Sequence, residues 1–529
     1  MSFFSRKQLL PFLALLLAPL AISCSRARTE PLRALAPRES VQSPPATDAA
    51  KAPEPTGPLQ VGVHDAILLA LETNRGLVVE RFSPAISRTF IDQEKAVFDP
   101  VVAGQVSGGQ TRAERATTSG MDSSTSSTAS GSISLEKATP AGTRFGVEGS
   151  RTFSDSSLYG DQFLTSRIGL SLSQALLKGA GSRSNLARVE QARIDAISSE
   201  YELRGFTEDL VARVEETYWD YALAQRQIEI FTESQQLAER QRDETQDRIN
   251  IGQLAETELA AAQAEVALRQ EALINARSSL ATIRLRLLRL LNPPGPDLWE
   301  REVVVETQPA VPDAALEDAA AHVDVALQMR PDLNQARLSV QRGDLELIRT
   351  KNGLLPRMDL FITLGRTGYS DSFGGWAFGG DSHGYDAMAG LRLEFPVGNR
   401  AARAAYDRAG LSRDRATEAV RNLEQLVQVD VRAAHIEVNR AKEQVAATAA
   451  TRAYQEEKLR AETEKFGVGK STTLLVAQAQ RDLVAASIAE IQAVVNYLKS
   501  FIQLYRLEGS LLDRRGIAAP GGEPVNDWP

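Results

Sequence analysis

The stretch Gly467-Val468-Gly469-Lys470-Ser471-Thr472 ends as a phosphate-binding loop ends, with Gly-Lys-Ser. Such a loop also needs a glycine five residues before Gly469 and a strand leading in. Glu464 holds that place and a helical pattern precedes it, so the glycines read as a tight turn between two helices. The four histidines, His64, His322, His383 and His435, lie far apart without an HxxxH or HExxH pair, which argues against zinc chemistry. The one cysteine, Cys24, excludes a disulfide framework and a thiolate cluster. Lys and Arg number 60 against 68 Asp and Glu, without a clustered basic face, so nucleic acid is not an expected partner. No catalytic, metal or cofactor set emerges. The polar residues that remain lie beside two glycine turns: Glu256, Thr257 and Glu258 after Gly252, and Lys470, Ser471 and Gln478 after Gly469.

The N-terminus reads as a targeting segment, residues 1–23. Arg6 and Lys7 precede an apolar run, Leu9 to Ile22, too short for the ~20 residues that a spanning helix needs. The run ends at Ala21-Ile22-Ser23-Cys24, which resembles a bacterial lipobox, with Cys24 the lipidated residue. Seven prolines within 25–58 make residues 24–58 a polyproline-rich tether.

What must position the two turns is a duplicated plan. Residues 181–292 and 398–509 align at a constant offset of 217, pairing Gly181 with Gly398, Gly252 with Gly469 and Gln263 with Gln480. Leu203, Phe206, Leu210, Val214, Thr217, Tyr221, Ala224, Ile228 and Phe231 form a seam of three- and four-residue steps. Val420, Leu423, Val427, Val431, Ala434, Val438, Ala441, Val445 and Thr448 repeat it in the same frame. The spacing predicts proline-free helices over about 183–250 and 400–466, each roughly 100 Å long. Shorter helices follow over 254–291 and 471–508, making hairpins 183–291 and 400–508. Residues 99–174 and 357–396 lose the helical period. Ile168, Leu170 and Leu172 alternate with polar neighbours, as do Leu391, Leu393 and Phe395, which is the pattern of strands with one apolar face. The first repeat is thus 59–292, a proline-rich linker 293–312, the second repeat 313–509 and a tail 510–529. Tyr369, Phe373, Trp376, Phe378 and Tyr385 suggest an aromatic girdle or a glycine-rich loop.

This ordered set resembles the TolC-type outer-membrane efflux channels. Phe98-Asp99-Pro100, Leu170 to Gly181, Asn352-Gly353-Leu354-Leu355-Pro356 and Leu393-Glu394-Phe395-Pro396 are similar to that family's junctions between helix and strand. Gly252 with Ala262-Gln263, and Gly469 with Ala479-Gln480, are similar to its tips. The resemblance implies a mainly α fold with a membrane β-barrel: two tandem structural repeats, and a long α-helical coiled-coil barrel continuous with a twelve-stranded trimeric β-barrel. It implies four strands per chain; the further strand-like runs Ile133–Lys137 and Arg144–Phe153, around the turn Thr139-Pro140-Ala141-Gly142, are expected to form a hairpin that extends the barrel or elaborates an outer loop. It implies a homotrimer, lipid-anchored in the outer membrane and extending into the periplasm, without enzymatic activity or cofactor. Its tips, Gly252, Gly469 and Lys470, would meet a periplasmic adaptor joined to an inner-membrane pump. Glu256, Thr257, Glu258, Ser471 and Gln478 would form a polar ring at the entrance. The cargo would be small molecules or metal ions, or a protein in type I secretion. A periplasmic coiled-coil adaptor also carries a lipid and a helical hairpin, but usually one hairpin with a lipoyl-like β module.

Overall fold

The structure is a computed structural model that describes residues 57–118, 120–156, 162–295, 298–311, 316–370 and 383–525. Cys24, most of the tether, Phe373, Trp376 and Phe378 lie outside the described residues. In chain order the first repeat holds β1 (Leu59–Val61), α1 (Val63–Thr73), α2 (Arg75–Glu80) and α3 (Phe82–Lys95). Next come β2 (Val101–Thr117), β3 (Gly120–Ala138), β4 (Thr143–Ser156), β5 (Gln162–Ala175), α4 (Ala187–Asn250) and α5 (Thr257–Leu291). The second half holds β6 (Val303–Val305), α6 (Ala319–Met329), α7 (Pro331–Gly353), β7 (Arg357–Ser370) and β8 (His383–Glu394). It ends with α8 (Arg400–Gly467), α9 (Thr473–Glu508) and α10 (Leu511–Arg514). The described residues form two compact units, one of 95–186 with 348–404, the other of 57–94, 187–347 and 405–525. No described helix is long and apolar enough to cross a membrane.

In the helical unit the seams become buried stripes. Leu203, Leu210, Val214, Tyr221 and Ala224 are buried along α4, and Val420, Val427, Val431, Val438 and Ala441 along α8. The two helices differ beyond the stripe. From Thr207 to Ala224, α4 is buried on nearly every side, because α1, α9 and the parallel β1–β6 pair also pack around it. Tyr218 and Tyr221 satisfy their buried hydroxyls by donating to the carbonyls of Val61 (3.1 Å) and Val303 (2.9 Å). α8 buries only its seam, against Val323, Ala326, Tyr497, Phe501 and Leu504. The hairpins end alike. Asn292 and Gly509, 217 residues apart, both take the left-handed conformation that stops a helix (φ 41° and 76°).

The tail straps across α4. Arg515 forks onto Glu215 (2.7 and 2.6 Å), Arg204 bonds Asp513 (2.7 Å), and Tyr201 donates to the carbonyl of Glu523. Glu208 is buried beside Arg204 (3.3 Å), whose guanidinium also serves Asp513.

The sheet unit corrects the expected strand count. Six strands, not four, form one antiparallel sheet in the order β2-β3-β4-β5-β7-β8. The hairpin β3–β4 around Thr139-Pro140-Ala141-Gly142 is not an elaboration outside the sheet; it stands between β2 and β5. A count of twelve for three copies therefore does not follow. The physical reason is composition: Ser, Thr and Gly on one face of β3 and β4 conceal an alternation that only Ile133, Leu135, Phe145 and Val147 display. Tyr369 and Tyr385 fall on opposite faces by register, so these two do not share a girdle.

Burial pushes the Glu208 carboxyl up to about 8, and Arg204 offsets only part of that rise. Folding thus favours the protonated form. The stability it carries is complete below the ordinary value of 4.5 and is lost as pH rises through about 8. Between these values the slope approaches at most about 1.4 kcal/mol per pH unit. Glu208→Gln should flatten the fall of melting temperature of the detergent-purified protein over that range; an unchanged slope would assign it to other groups.

Candidate functional site

Each long helix stops at a glycine because its last carbonyls need donors from a backbone that turns back sharply. In the first hairpin, Gly252 (φ 76°) donates to Ile249 (2.9 Å) and Gln253 to Arg248 (2.8 Å). In the second, Gly469 (φ 73°) donates to Phe466 (3.0 Å) and Lys470 to Lys465 (2.8 Å). The two turns are the same motif at matched positions. The Gly469 and Lys470 amides are bonded within the turn, and a 68-residue helix leads in, so the Gly-Lys-Ser run closes a helix here and does not cradle a phosphate. Thr472 opens α9 by accepting from the Leu475 amide (3.3 Å).

The polar residues fall into two groups. Glu256, Thr257 and Glu258 stand at the start of α5, where a helix N-terminus favours carboxylates; Glu256 and Thr257 are exposed and Glu258 is half-buried. Among the described residues neither glutamate forms an ion pair. Lys470 and Gln478 are exposed on the second hairpin. Ser471 is drawn into a cluster: its hydroxyl donates to Glu462 (2.8 Å), which also meets Lys465 (2.6 Å). The Lys465 ammonium, then the Ser471 hydroxyl, hold the Glu462 carboxyl below the usual carboxylate range. Of the five expected ring residues, three thus stand on the first hairpin and two on the second.

Sequence reasoning missed Glu462, Lys465 and the Arg248–Phe466 stack that joins the tips, with the guanidinium 5.0 Å from the ring centre. Glu462 and Lys465 are spaced as a helical pair, but nothing local announces their link to Ser471. The Arg248–Phe466 pair belongs to different hairpins and has no sequence signal. Between the hairpins runs a groove of about 240 Å³, lined by Ala238, Ala262, Glu265, Leu268, Thr473 and Ala477 among others. No group of three His, Cys, Asp or Glu suited to a metal occurs among the described residues.

Twin hairpins closed by matched glycine turns, with a sheet that bares one apolar face, define an outer-membrane channel fold. The chain belongs to the outer membrane efflux protein family, whose profile matches residues 144–293 and 323–510, more than half of the sequence. It is similar to the Campylobacter jejuni CmeC outer membrane channel, at 15% identity and TM-score 0.65, over 88% of this chain and 87% of that one. It is similar to the open state of the Neisseria gonorrhoeae MtrE outer membrane channel, at 19% and 0.58, over 85% and 89%. A membrane protein from Pseudomonas aeruginosa gives 18% and 0.63, over 84% and 93%. These likenesses show the fold. No curated protein matches the sequence.

A Cβ at Gly252 or Gly469 would meet nothing within 4 Å, so only the positive φ resists substitution. Gly469→Ala should cost about 1 kcal/mol by backbone strain, and Gly469→Asn less. Faster amide exchange over residues 465–472 in the Ala variant would report it.

Proposed function

We propose that three copies form a passive exit duct across the outer membrane and periplasm, serving a tripartite efflux system for small molecules or metal ions. The observation that carries this reading is the pair of equivalent tips. They cap helices roughly 100 Å long, expose their turn residues and leave open space around both glycines. Two equivalent tips per chain suit a periplasmic adaptor that meets the duct end-on and links it to an inner-membrane pump. The groove between the hairpins offers such a partner a small-residue track. The sheet argues against the adaptor class: six strands of 12 to 19 residues with a bared apolar face suit a membrane wall, which needs strands of about 9–11 residues. Cys24 carries the lipid anchor, and the Pro-rich tether joins it to β1. Specificity falls to the pump, because a wide conduit holds no fitted pocket.

Bulk at the tips tests the docking surface. Gly252→Trp and Gly469→Trp should abolish efflux in whole cells while the amount of trimer in the outer membrane stays unchanged. Full efflux in both variants would move the docking surface elsewhere. Cys24→Ala should end labelling by radioactive palmitate, and persistent label would exclude the anchor at that residue.

A further inference from the structure

The hairpin β3–β4 changes what three copies can build. Its strands have 19 and 14 residues, longer than a tilted strand needs to cross hydrocarbon. It also continues both faces of the sheet without a step. One row of directly paired residues runs Val102, Leu135, Val147, Leu170, Leu364, Ala387, apolar on all six strands. Leu135 and Val147 are 44% and 43% exposed, close to Leu170 and Leu364 at 50% and 48%. The inserted strands therefore bare their apolar side chains as much as their neighbours do. The next row, on the opposite face, runs Ala103, Ser134, Glu148, Gly169, Gly365, Asp386. A loop lying outside the membrane has no reason to keep an apolar row in register with the wall beside it.

The edges supply a second argument. β2 and β8 each have a partner on one side only. Unpaired strand edges are not tolerated in lipid. Every pairing in the sheet is antiparallel and the strand number is even, so β8 runs opposite to β2. The β8 edge of one copy can thus meet the β2 edge of another as an ordinary antiparallel pair. An odd strand number would have forced a parallel seam at each junction. The family profile begins at Arg144, inside β4, so β2 and β3 lie before the matched region.

We propose that three copies close an eighteen-stranded barrel, each β8 bonded to the β2 of the next copy, with β3–β4 as lipid-facing wall. This rests on the trimeric duct reading above. Barrel diameter grows nearly linearly with strand number, so this outlet is about 1.5 times as wide as one of twelve strands. Barrels of sixteen to eighteen strands leave an open aqueous channel.

The test uses the full chain in lipid bilayers. The mass of the detergent-extracted protein is measured first: a monomer would sink the duct reading and this proposal together. Nitroxide labels at Leu135→Cys and Val147→Cys should then be relaxed by oxygen as strongly as a label at Leu170→Cys, and weakly by a water-soluble nickel chelate. Ser134→Cys and Glu148→Cys should show the reverse, with the unsubstituted protein as the blank. Gln105→Cys, paired in turn with cysteines along residues 383–394, should give disulfide-linked trimers at one register. Trimers whose labels at 135 and 147 report water, or that cross-link at no β8 position, would overturn the eighteen-strand wall and leave the duct standing.

Discussion

A backbone that enters hydrocarbon must bond every one of its N–H and C=O groups, since lipid offers no partner. The sheet unit follows this constraint in its detail. Strands of 12 to 19 residues satisfy one another through unbroken registers, such as Val101↔Glu136 to Thr117↔Gly120. Close approach on the polar face is secured by glycine where side chains crowd. At Gly365 a Cβ would fall 2.5 Å from Asp386 and 2.6 Å from Arg167, and its absence makes room for their two-pronged ion pair (2.7 Å). The apolar residues are left on the other face, bare in a single chain, as a surface made to be covered by lipid or a partner is.

The helical unit solves a different problem with a duplicated sequence. Two copies of one hairpin cannot have identical surroundings within one chain. The tips and the terminal αL residues kept the shared geometry, because backbone conformation alone sets them: Gly252 with Gly469, Asn292 with Gly509. The long helices diverged. α4 carries tyrosines whose hydroxyls reach backbone carbonyls, a carboxylate, Glu215, that receives Arg515 from the tail, and its own buried Arg204–Glu208 pair. α8 kept a valine seam and an exposed remainder carrying pairs such as Arg440–Glu437. Exposed pairs of this kind contribute little each, so the burial along the seam holds the second hairpin together.

What was legible in the sequence was periodic. The seams, the proline-free lengths and the glycine turns survive as signals because a helix repeats its environment every three or four residues. The break at Leu186, which splits a short helix at Ser182–Asn185 from α4, was not legible, since no proline or helix-side glycine marks it. The hairpin β3–β4 was visible as strand-like runs but not as part of the continuous sheet. A strand with small polar residues on one face and a few apolar ones on the other resembles a loop until its partners are known. The tip contacts Glu462–Ser471 and Arg248–Phe466 were hidden for a related reason: they join residues that the turns and hairpins bring together, and spacing along the chain does not encode them.

Several charges at the tips and in the sheet are paired within the chain. Glu462 is neutralised by Lys465, Arg167 by Asp386 and Asp359 by Arg357. Opposite charges within about 3 Å present little field beyond a Debye length of ~8 Å at physiological ionic strength. Among the described residues Glu256 and Glu258 form no ion pair and stand at a helix N-terminus. In the proposed trimer six such carboxylates would add their potentials at the tips. In the duct proposed above, these carboxylates are the charges placed to favour cations, and the selectivity of the pump adds to whatever they contribute.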